Sequence, residues 1–200
     1  MLSIRLLSIL VFFCMTLPSC FNLWDEPDDE YGDDNDTGSS GSTTCDDSGD
    51  GEWTAAWAAK ECRVFELVNQ RRSEGADCGG EGSFGPASPL KLQSSLTEAA
   101  RLHSQDMGER NYFSHDSPGG PNGNDMVDRI ENAGYVGWNA IGENIAAGQT
   151  SAEETVAGWM QSPGHCANIL SPDFTQIGVG YAEVQGSEYT HYWTQDFGRR

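Results

Sequence analysis

Positive charge is scarce in this chain: 11 Lys and Arg residues stand against 31 Asp and Glu residues in a length of 200, a formal net charge of -20. Because binding to nucleic-acid phosphates requires clustered cations, nucleic acid is excluded as a partner. The same scarcity argues against electrostatic attraction of a basic surface to a membrane. The acid is unevenly distributed, since residues 25–52 contain 12 carboxylates and neither Lys nor Arg.

A hydrophobic run long enough to span a bilayer is also missing. The apolar stretch 6–17 is too short for a membrane-spanning helix but suits the apolar region of an export signal. No Ala precedes Ala55, so an Ala-x-Ala cleavage site is absent; residues 17–20, Leu-Pro-Ser-Cys, instead resemble a bacterial lipobox. We therefore expect residues 1–19 to be a lipoprotein-type export signal, with a lipid on Cys20 as the membrane anchor. An ordinary secretory signal or an uncleaved anchor is the alternative.

The acidic segment 25–52 contains very few apolar side chains and is rich in Gly, Ser and Thr. Such a segment cannot bury enough apolar surface to offset its ordering entropy, so we predict a disordered tether over residues 20–52. The Asp-x-Ser-x-Asp-Gly pattern at residues 46–51 resembles the start of a calcium-binding EF-hand loop. Trp57, however, stands where that loop requires a bidentate glutamate, and the tether interpretation is favoured.

Periodic apolar residues begin near Trp53 and predict a folded domain over residues 53–200. The pattern predicts helices over about 53–72, 94–111 and 125–133, a fourth opened by a capping box at Ser151, and a short helical turn over 165–170. Alternation over 177–181 and 189–197 predicts a β-hairpin joined across Gly186 and Ser187. Helices that precede antiparallel strands indicate the α+β class.

Established catalytic signatures are absent: the chain contains no His-Glu-x-x-His, no Gly-x-Ser-x-Gly, no phosphate-binding loop and no dinucleotide fingerprint. Of the four histidines, His103 lies on the apolar face of a predicted helix and His191 lies among strand aromatics, so both are expected to be packing residues. His115 falls in a loop directly after a helix, where functional residues are common.

Two further residues complete a candidate metal site. His165 follows a Pro-Gly break at the start of a helical turn, where the helix dipole favours the neutral, metal-binding imidazole. Glu143 is a lone acid in an apolar run, which predicts an inward carboxylate that needs a partner. Together with His115, these side chains would suit Zn²⁺ with an open water position.

Several motifs recur in order along the chain and resemble one protein family. They are residues 67–72 (Leu-Val-Asn-Gln-Arg-Arg), 112–115 (Tyr-Phe-Ser-His), 142–145 (Gly-Glu-Asn-Ile), 159–165 (Trp-Met-Gln-Ser-Pro-Gly-His), 177–181 (Ile-Gly-Val-Gly-Tyr) and 192–198 (Tyr-Trp-Thr-Gln-Asp-Phe-Gly). Over about residues 60–198 the chain resembles the CAP superfamily, the SCP domain of cysteine-rich secretory proteins, insect antigen 5 allergens and plant pathogenesis-related proteins. The resemblance implies a three-layer α-β-α sandwich with a central, largely antiparallel sheet and an open cleft.

The cleft of that family carries two histidines and two acidic residues. Transferred by motif, the resemblance implies that His115, Glu143 and His165 are three of the four, whereas the second acidic position in the cleft is occupied by Ser162. A divalent cation such as Zn²⁺ is therefore an expected cofactor, held by fewer charges than in the complete set.

The fold does not by itself determine the function. We favour an exported, membrane-anchored binding module whose cleft takes a divalent metal or a small hydrophobic, lipid or peptide ligand. A metal-dependent, protease-like hydrolase is the alternative, in which Glu143 is the only general base for a metal-bound water. A structural or adhesive surface domain is the second alternative. Each hypothesis places the domain outside the cytoplasm, in the cell envelope or secreted.

Six cysteines in so short a chain indicate an oxidising compartment. With Cys14 in the signal and Cys20 assigned to lipidation, four cysteines remain, and they allow three pairings. We favour Cys78–Cys166 within the domain and Cys45–Cys62 between the tether and the first helix, with a Cys45–Cys166 bond as the alternative.

Overall fold

Five α-helices, one turn of 3-10 helix at Gly79–Glu81 and six strands make up the folded domain in the computed structural model, which describes Cys45 and residues 53–200. The predicted export signal, the lipidation site at Cys20, the calcium-loop pattern and the rest of the predicted tether lie outside the described residues. The helices are α1 Ala55–Glu74, α2 Ser94–Glu109, α3 Met126–Asn132, α4 Ala152–Gln161 and α5 Pro163–Leu170. The strands are β1 Ala76–Asp77, β2 Ser83–Phe84, β3 Lys91–Leu92, β4 Ala140–Ala147, β5 Gln176–Glu183 and β6 His191–Arg199.

The helix starts follow from local capping. Thr54 accepts a hydrogen bond from the backbone N–H of Trp57 at the start of α1, and Asp125 caps α3 through the N–H of Asp128. The Ser151 side chain accepts from the N–H three residues later and opens α4, as its capping box predicts. A proline in the first position of α5 supplies a φ angle suited to the first turn. All five predicted helical segments are thus present, with ends shifted by two residues at most.

The main sheet has four strands in the order β3-β5-β6-β4. The predicted hairpin is confirmed, because β5 pairs antiparallel with β6 over the whole length of β5. Strand β4 also pairs antiparallel with β6, whereas the two-residue strand β3 is parallel to β5. The sheet is therefore largely antiparallel, as the family resemblance implies.

Strand β4 was not expected from the sequence. Its central residues, Gly142, Glu143 and Asn144, interrupt the apolar alternation that marks a half-buried strand. The structure shows that both polar side chains are nonetheless buried. Their partners come from other elements, so the strand is stabilised by contacts that a local pattern does not contain.

Helices cover both faces of the sheet, which gives the expected three layers. On one face, Val179 and Trp193 join the main core with residues of α1, α4 and α5. On the other face α2 lies against β5 and β6. Glycines make this approach close: a Cβ at Gly180 would lie 2.2 Å from the carbonyl carbon of Ala100 in α2.

The free edge of β5 is closed by a buried carboxylate. Beyond the short strand β3, no described strand pairs with this edge. Glu61 of α1 accepts the backbone N–H of Tyr181 at 3.0 Å, and also bonds Arg101 Nη2 at 2.7 Å and Trp53 Nε1 at 2.7 Å. This one side chain therefore joins α1, α2, β5 and the N-terminal end of the domain, and it blocks further strand pairing.

Both favoured disulfides are present, Cys45–Cys62 and Cys78–Cys166. The second joins the loop after α1 to α5 across a sequence separation of 88 residues, and the first attaches residue 45 to α1 across 17. A disulfide of this kind stabilises a fold by about 2–4 kcal/mol. In the part of the chain that the structure describes, no helix is long and apolar enough to cross a membrane.

The contact between α2 and β5 generates a test of the packing. We expect Gly180→Ala to destabilise the protein by about 1–3 kcal/mol or more, because the new methyl group would collide with backbone rather than with a flexible side chain. Gly158→Ala is the matched control: that glycine is exposed inside α4 with no heavy atom within 4 Å of its added Cβ. The control is expected to be about 0.5–1 kcal/mol more stable than the parent. Urea unfolding of the three proteins measures both effects, and equal stability of the parent and the Gly180 variant would contradict this packing.

Candidate functional site

A buried carboxylate organises the candidate site. The side chain of Glu143 on β4 is 2 % exposed and accepts two charged hydrogen bonds, from His115 Nδ1 at 2.8 Å and from Arg129 Nη2 at 2.7 Å. The inward carboxylate predicted from the sequence therefore has two partners. His115 is 53 % exposed, and with Nδ1 engaged it has Nε2 available to a ligand.

Arg129 of α3 holds this arrangement together and was not recognised in the sequence as a site residue. Its guanidinium is buried and also donates to the backbone carbonyl of His115 at 2.9 Å and to Ser117 Oγ at 3.0 Å. One arginine thus holds the carboxylate of Glu143 and two points of the loop that carries His115. The available signal was an arginine placed directly before the buried Ile130 in a short helix.

The charges of Glu143, His115 and Arg129 determine the protonation states of Glu143 and His115. Burial alone would raise the pKa of Glu143, but the hydrogen bond from His115 and the charge of Arg129 hold that pKa below its ordinary value. The same hydrogen bond raises the pKa of His115 against the opposing effect of its partial burial. The carboxylate is therefore ionised at neutral pH, and its contact favours the protonated imidazole.

The exposed side of this pair opens into a cavity of about 350 Å³. Its lining combines apolar, acidic and imidazole side chains: His115, Asp116, Asp125, Met126, Val127 and Glu143. The start of α3 forms one wall, and the loop that follows α2 supplies His115 and Asp116. An apolar surface beside a few oriented polar groups is the usual chemistry of a small-ligand site.

His165 lies on a different element and is not among the residues that line the cavity. It is half-buried in the first turn of α5, and its pKa is lowered by burial and by the charge of His115. Its backbone carbonyl accepts a hydrogen bond from Asn144 Nδ2 at 3.2 Å. Asn168 of the same helix donates to Asn144 Oδ1 at 2.9 Å, so two asparagines hold α5 against β4 and position the histidine.

Ser162, which stands where the family resemblance implies a second acid, lies at the junction of α4 and α5. Its N–H donates to the carbonyl of Trp159, and its own carbonyl accepts from the N–H of Cys166. The residue is half-buried and ends one helix while it begins the next. Ser162 is not among the residues that line the cavity.

Direct binding of a metal by Glu143 stays a prediction. Both of its oxygens are engaged by His115 and Arg129. Among residues 53–200 and Cys45, no group of three or more His, Cys, Asp or Glu side chains is placed to hold a metal ion. In these contacts Glu143 orients the imidazole of His115, which is the usual role of a carboxylate behind a histidine ligand.

The other two histidines are packing residues, as the sequence predicts. His103 is fully buried, bonds the carbonyl of Ser114 through Nε2 at 3.1 Å, and has its pKa lowered to about 4 by burial. His191 bonds the hydroxyl of Tyr181 through Nδ1 at 2.7 Å and stacks on the same ring. His103 nevertheless lies 4.0 Å from the carboxylate of Glu143, so it forms part of the wall behind the site.

Asp196 is a second acid that sequence reasoning missed. It is fully buried on β6, directly opposite Glu143 in the ladder between β4 and β6. Burial raises its pKa well above the ordinary value, and the neighbouring charge of Glu143 raises it further. The sequence signal for this residue was an acid at an inward position of a strand with alternating apolar residues. That Glu143 is its neighbour becomes known only from the register between β4 and β6.

The chain is similar to known proteins over most of this domain. The model of the cysteine-rich secretory protein family, CAP, matches residues 65–197. The uncharacterized protein YkwD of Bacillus subtilis is 42 % identical over 143 residues, which is 70 % of this chain and 47 % of that protein. The chain thus spans about half the length of this relative.

Solved structures show the same fold. An extracellular protein from Bacillus anthracis that contains an SCP domain matches with a TM-score of 0.58 and 31 % identity, covering 72 % of this chain and 41 % of that one. An outer surface protein of Borrelia burgdorferi matches with a TM-score of 0.55 and 18 % identity, covering 68 % of this chain and 90 % of that one.

The carboxylate at the centre of the site can be tested without a ligand. Glu143→Gln is expected to lower the pKa of His115, because a neutral amide stabilises the imidazolium less than a carboxylate does. In the parent, the raised pKa of His115 stabilises the fold below the unfolded value of about 6.5, and this stabilisation is lost as the pH rises through the folded value. The variant is expected to lose that dependence and about 3–5 kcal/mol of stability, since Arg129 is left buried without its anion.

NMR titration of the imidazole and urea unfolding at several pH values measure these two effects. Glu98→Gln on the exposed side of α2 is the matched control and is expected to change neither. An unchanged pKa of His115 in the Glu143 variant would contradict the assigned hydrogen bond.

Proposed function

Since the chain belongs to the CAP family of cysteine-rich secretory proteins, we propose that it acts outside the cytoplasm as a binding module whose cleft at His115 takes a small, partly apolar ligand. Two disulfides suit an oxidising compartment. The Bacillus anthracis protein with an SCP domain is described as extracellular, which supports the same location. A lipid on Cys20 is the anchor that this proposal includes.

The cavity beside a pre-positioned imidazole is the observation that carries the proposal. Met126 and Val127 supply an apolar wall, and His115 supplies a hydrogen-bonding nitrogen at its edge. Because Glu143 already fixes the imidazole, a ligand loses little affinity to ordering that side chain. The apolar part of a ligand would pack on the wall, while its polar group contacts Nε2 of the histidine.

Binding fits this geometry better than hydrolysis does. A general base must be free to accept a proton from water or substrate. Glu143 is buried, ionised and held by both His115 and Arg129, and its pKa is below the ordinary value. A carboxylate in that state is a weak base, and its contacts give it a structural task.

Fluorescence of the neutral apolar probe N-phenylnaphthylamine tests the cleft. We expect saturable binding to the protein and at least about tenfold weaker binding to Val127→Asp, a loss of about 1.4 kcal/mol, because a charge would enter the apolar wall. Val136→Asp is the matched control, since Val136 is also exposed but does not line the cavity. Absence of saturable binding, or an equal loss in the control, would overturn the apolar cleft.

A divalent cation is the second candidate ligand. The carboxylate-oriented imidazole of His115 supports it, as does His165, whose lowered pKa keeps its ring neutral. Two protein donors leave open coordination positions, which suit a metal that helps to hold another ligand.

Calorimetric titration with Zn²⁺ alone tests this candidate. We expect binding of one equivalent that is lost in both His115→Ala and His165→Ala. His191→Gln is the control, because His191 bonds Tyr181 away from the cleft. Zn²⁺ binding that survives both substitutions would place the ion elsewhere, and failure of both Zn²⁺ and the apolar probe would favour the structural or adhesive alternative.

A further inference from the structure

Asp196 lies beneath the site in an enclosed position. Residues directly opposite in an antiparallel ladder place their Cβ atoms about 4.5–5.5 Å apart on the same face, and Asp196 is opposite Glu143. On its other side it is opposite Gly178 of β5, which has no side chain and lies against the backbone of α2 at Leu96. The carboxyl group of Asp196 is therefore shut between two strands and a helix, with Glu143 beside it.

No described residue donates a hydrogen bond to either carboxyl oxygen of Asp196. A buried, ionised carboxylate without hydrogen bonds is strongly disfavoured. A proton on Asp196 itself would turn it from an unsatisfied acceptor into a donor.

Most nitrogens of the charged and titratable groups around Asp196 are engaged in other hydrogen bonds, and the buried exceptions are Arg129 Nε and His103 Nδ1. Arg129 of α3 directs its terminal nitrogens at Glu143, His115 and Ser117, and its Nε makes no hydrogen bond to the described residues. His103 of α2 is neutral at physiological pH, since burial lowers its pKa to about 4, and His115 bonds Glu143. Glu143 is the remaining neighbour, and its carboxylate oxygens, which bond His115 and Arg129, each have lone pairs for a second hydrogen bond.

We propose that Asp196 is a positioning residue of the cleft: it stays a neutral carboxylic acid, donates its O–H to Glu143, and so fixes the carboxylate that holds His115. The chain therefore has two acids under its cleft although position 162 is Ser, and the second comes from β6. The proposal rests on the proposed function only in treating His115 as the group that meets the ligand.

The pH dependence of stability has a definite sign under this proposal. Burial and the charge of Glu143 raise the pKa of Asp196 above its unfolded value of about 3.9, so the folded protein binds more protons than the unfolded chain. Asp196 therefore contributes a loss of stability as the pH rises from about 3.9 towards the folded pKa. A variant with a residue at position 196 that does not titrate should not show this loss of stability.

Asp196→Asn and Asp196→Leu separate the two parts of the proposal, which are the neutral state of Asp196 and its hydrogen bond to Glu143. Asp173→Asn is the control, because the side chain of Asp173 is 70 % exposed. Both Asp196 variants are neutral, but only the amide of Asn retains a donor. Infrared spectroscopy of the parent at neutral pH is expected to show the C=O stretch of one protonated carboxyl group, which is absent from Asp196→Asn and present in the control. Relative to the parent, Asp196→Asn should also be more stable at pH 7 than at pH 4.

NMR titration of His115 in the absence of ligand tests whether Asp196 positions the carboxylate of Glu143. The pKa of His115 is expected to be unchanged in Asp196→Asn and shifted in Asp196→Leu, where Glu143 loses a donor. The proposal would be overturned if the parent lacks the protonated-carboxyl band and the pKa of His115 is lower in Asp196→Asn than in the parent. Those two results together would show that Asp196 is ionised. Identical titration of His115 in Asn and Leu variants would overturn the positioning role. Because no ligand is present, these outcomes are independent of whether the cleft binds one.

Discussion

The ion pair between Glu143 and Arg129 is the constraint on which the arrangement of the site depends. Each partner is 2 % exposed, so neither charge can remain buried without the other. The pair joins strand β4 to helix α3, and Arg129 also bonds the carbonyl of His115, so the loop between α2 and α3 has little freedom. The half-exposed imidazole in the cleft is thus the outer end of a buried chain of charged hydrogen bonds.

Such a pair is a costly way to stabilise a fold, because desolvation of two charges offsets most of their attraction. The stability of the domain comes from other contacts: the core between the sheet and helices α1, α4 and α5, the close packing of α2 on the glycines of β5, and two disulfides. The ion pair is better explained by its role in positioning His115 than by a contribution to the stability of the fold. It holds His115 in one orientation at the edge of a cavity, which a purely apolar core could not do.

The sequence was sufficient to predict elements whose signal is local. It was insufficient to predict contacts that depend on the register of the sheet or on distant elements. Helical periodicity, caps and glycine breaks predicted every described α-helix, and alternation predicted the β5–β6 hairpin. The motifs of the family resemblance predict His115, Glu143 and His165 as site residues, and the structure gives Glu143 and His115 a direct hydrogen bond. Arg129 and Asp196 were missed because each becomes part of the site only through an element far away in the chain. Strand β4 was missed for the same reason, since Glu143 and Asn144 find their partners on other elements.

Both edges of the sheet are closed by side chains, and this explains where the cleft lies. At the β5 edge Glu61 takes the free N–H of Tyr181. At the β4 edge the carbonyls of Glu143 and Ile145 accept from Asn168 and Trp159, so helices α4 and α5 cover the strand without adding another one. A fifth strand there would replace the helix that carries His165. Closing the edge with a helix brings His165 beside β4, because the carbonyl of His165 accepts from Asn144, while the loop after α2 brings His115 to the carboxylate of the same strand.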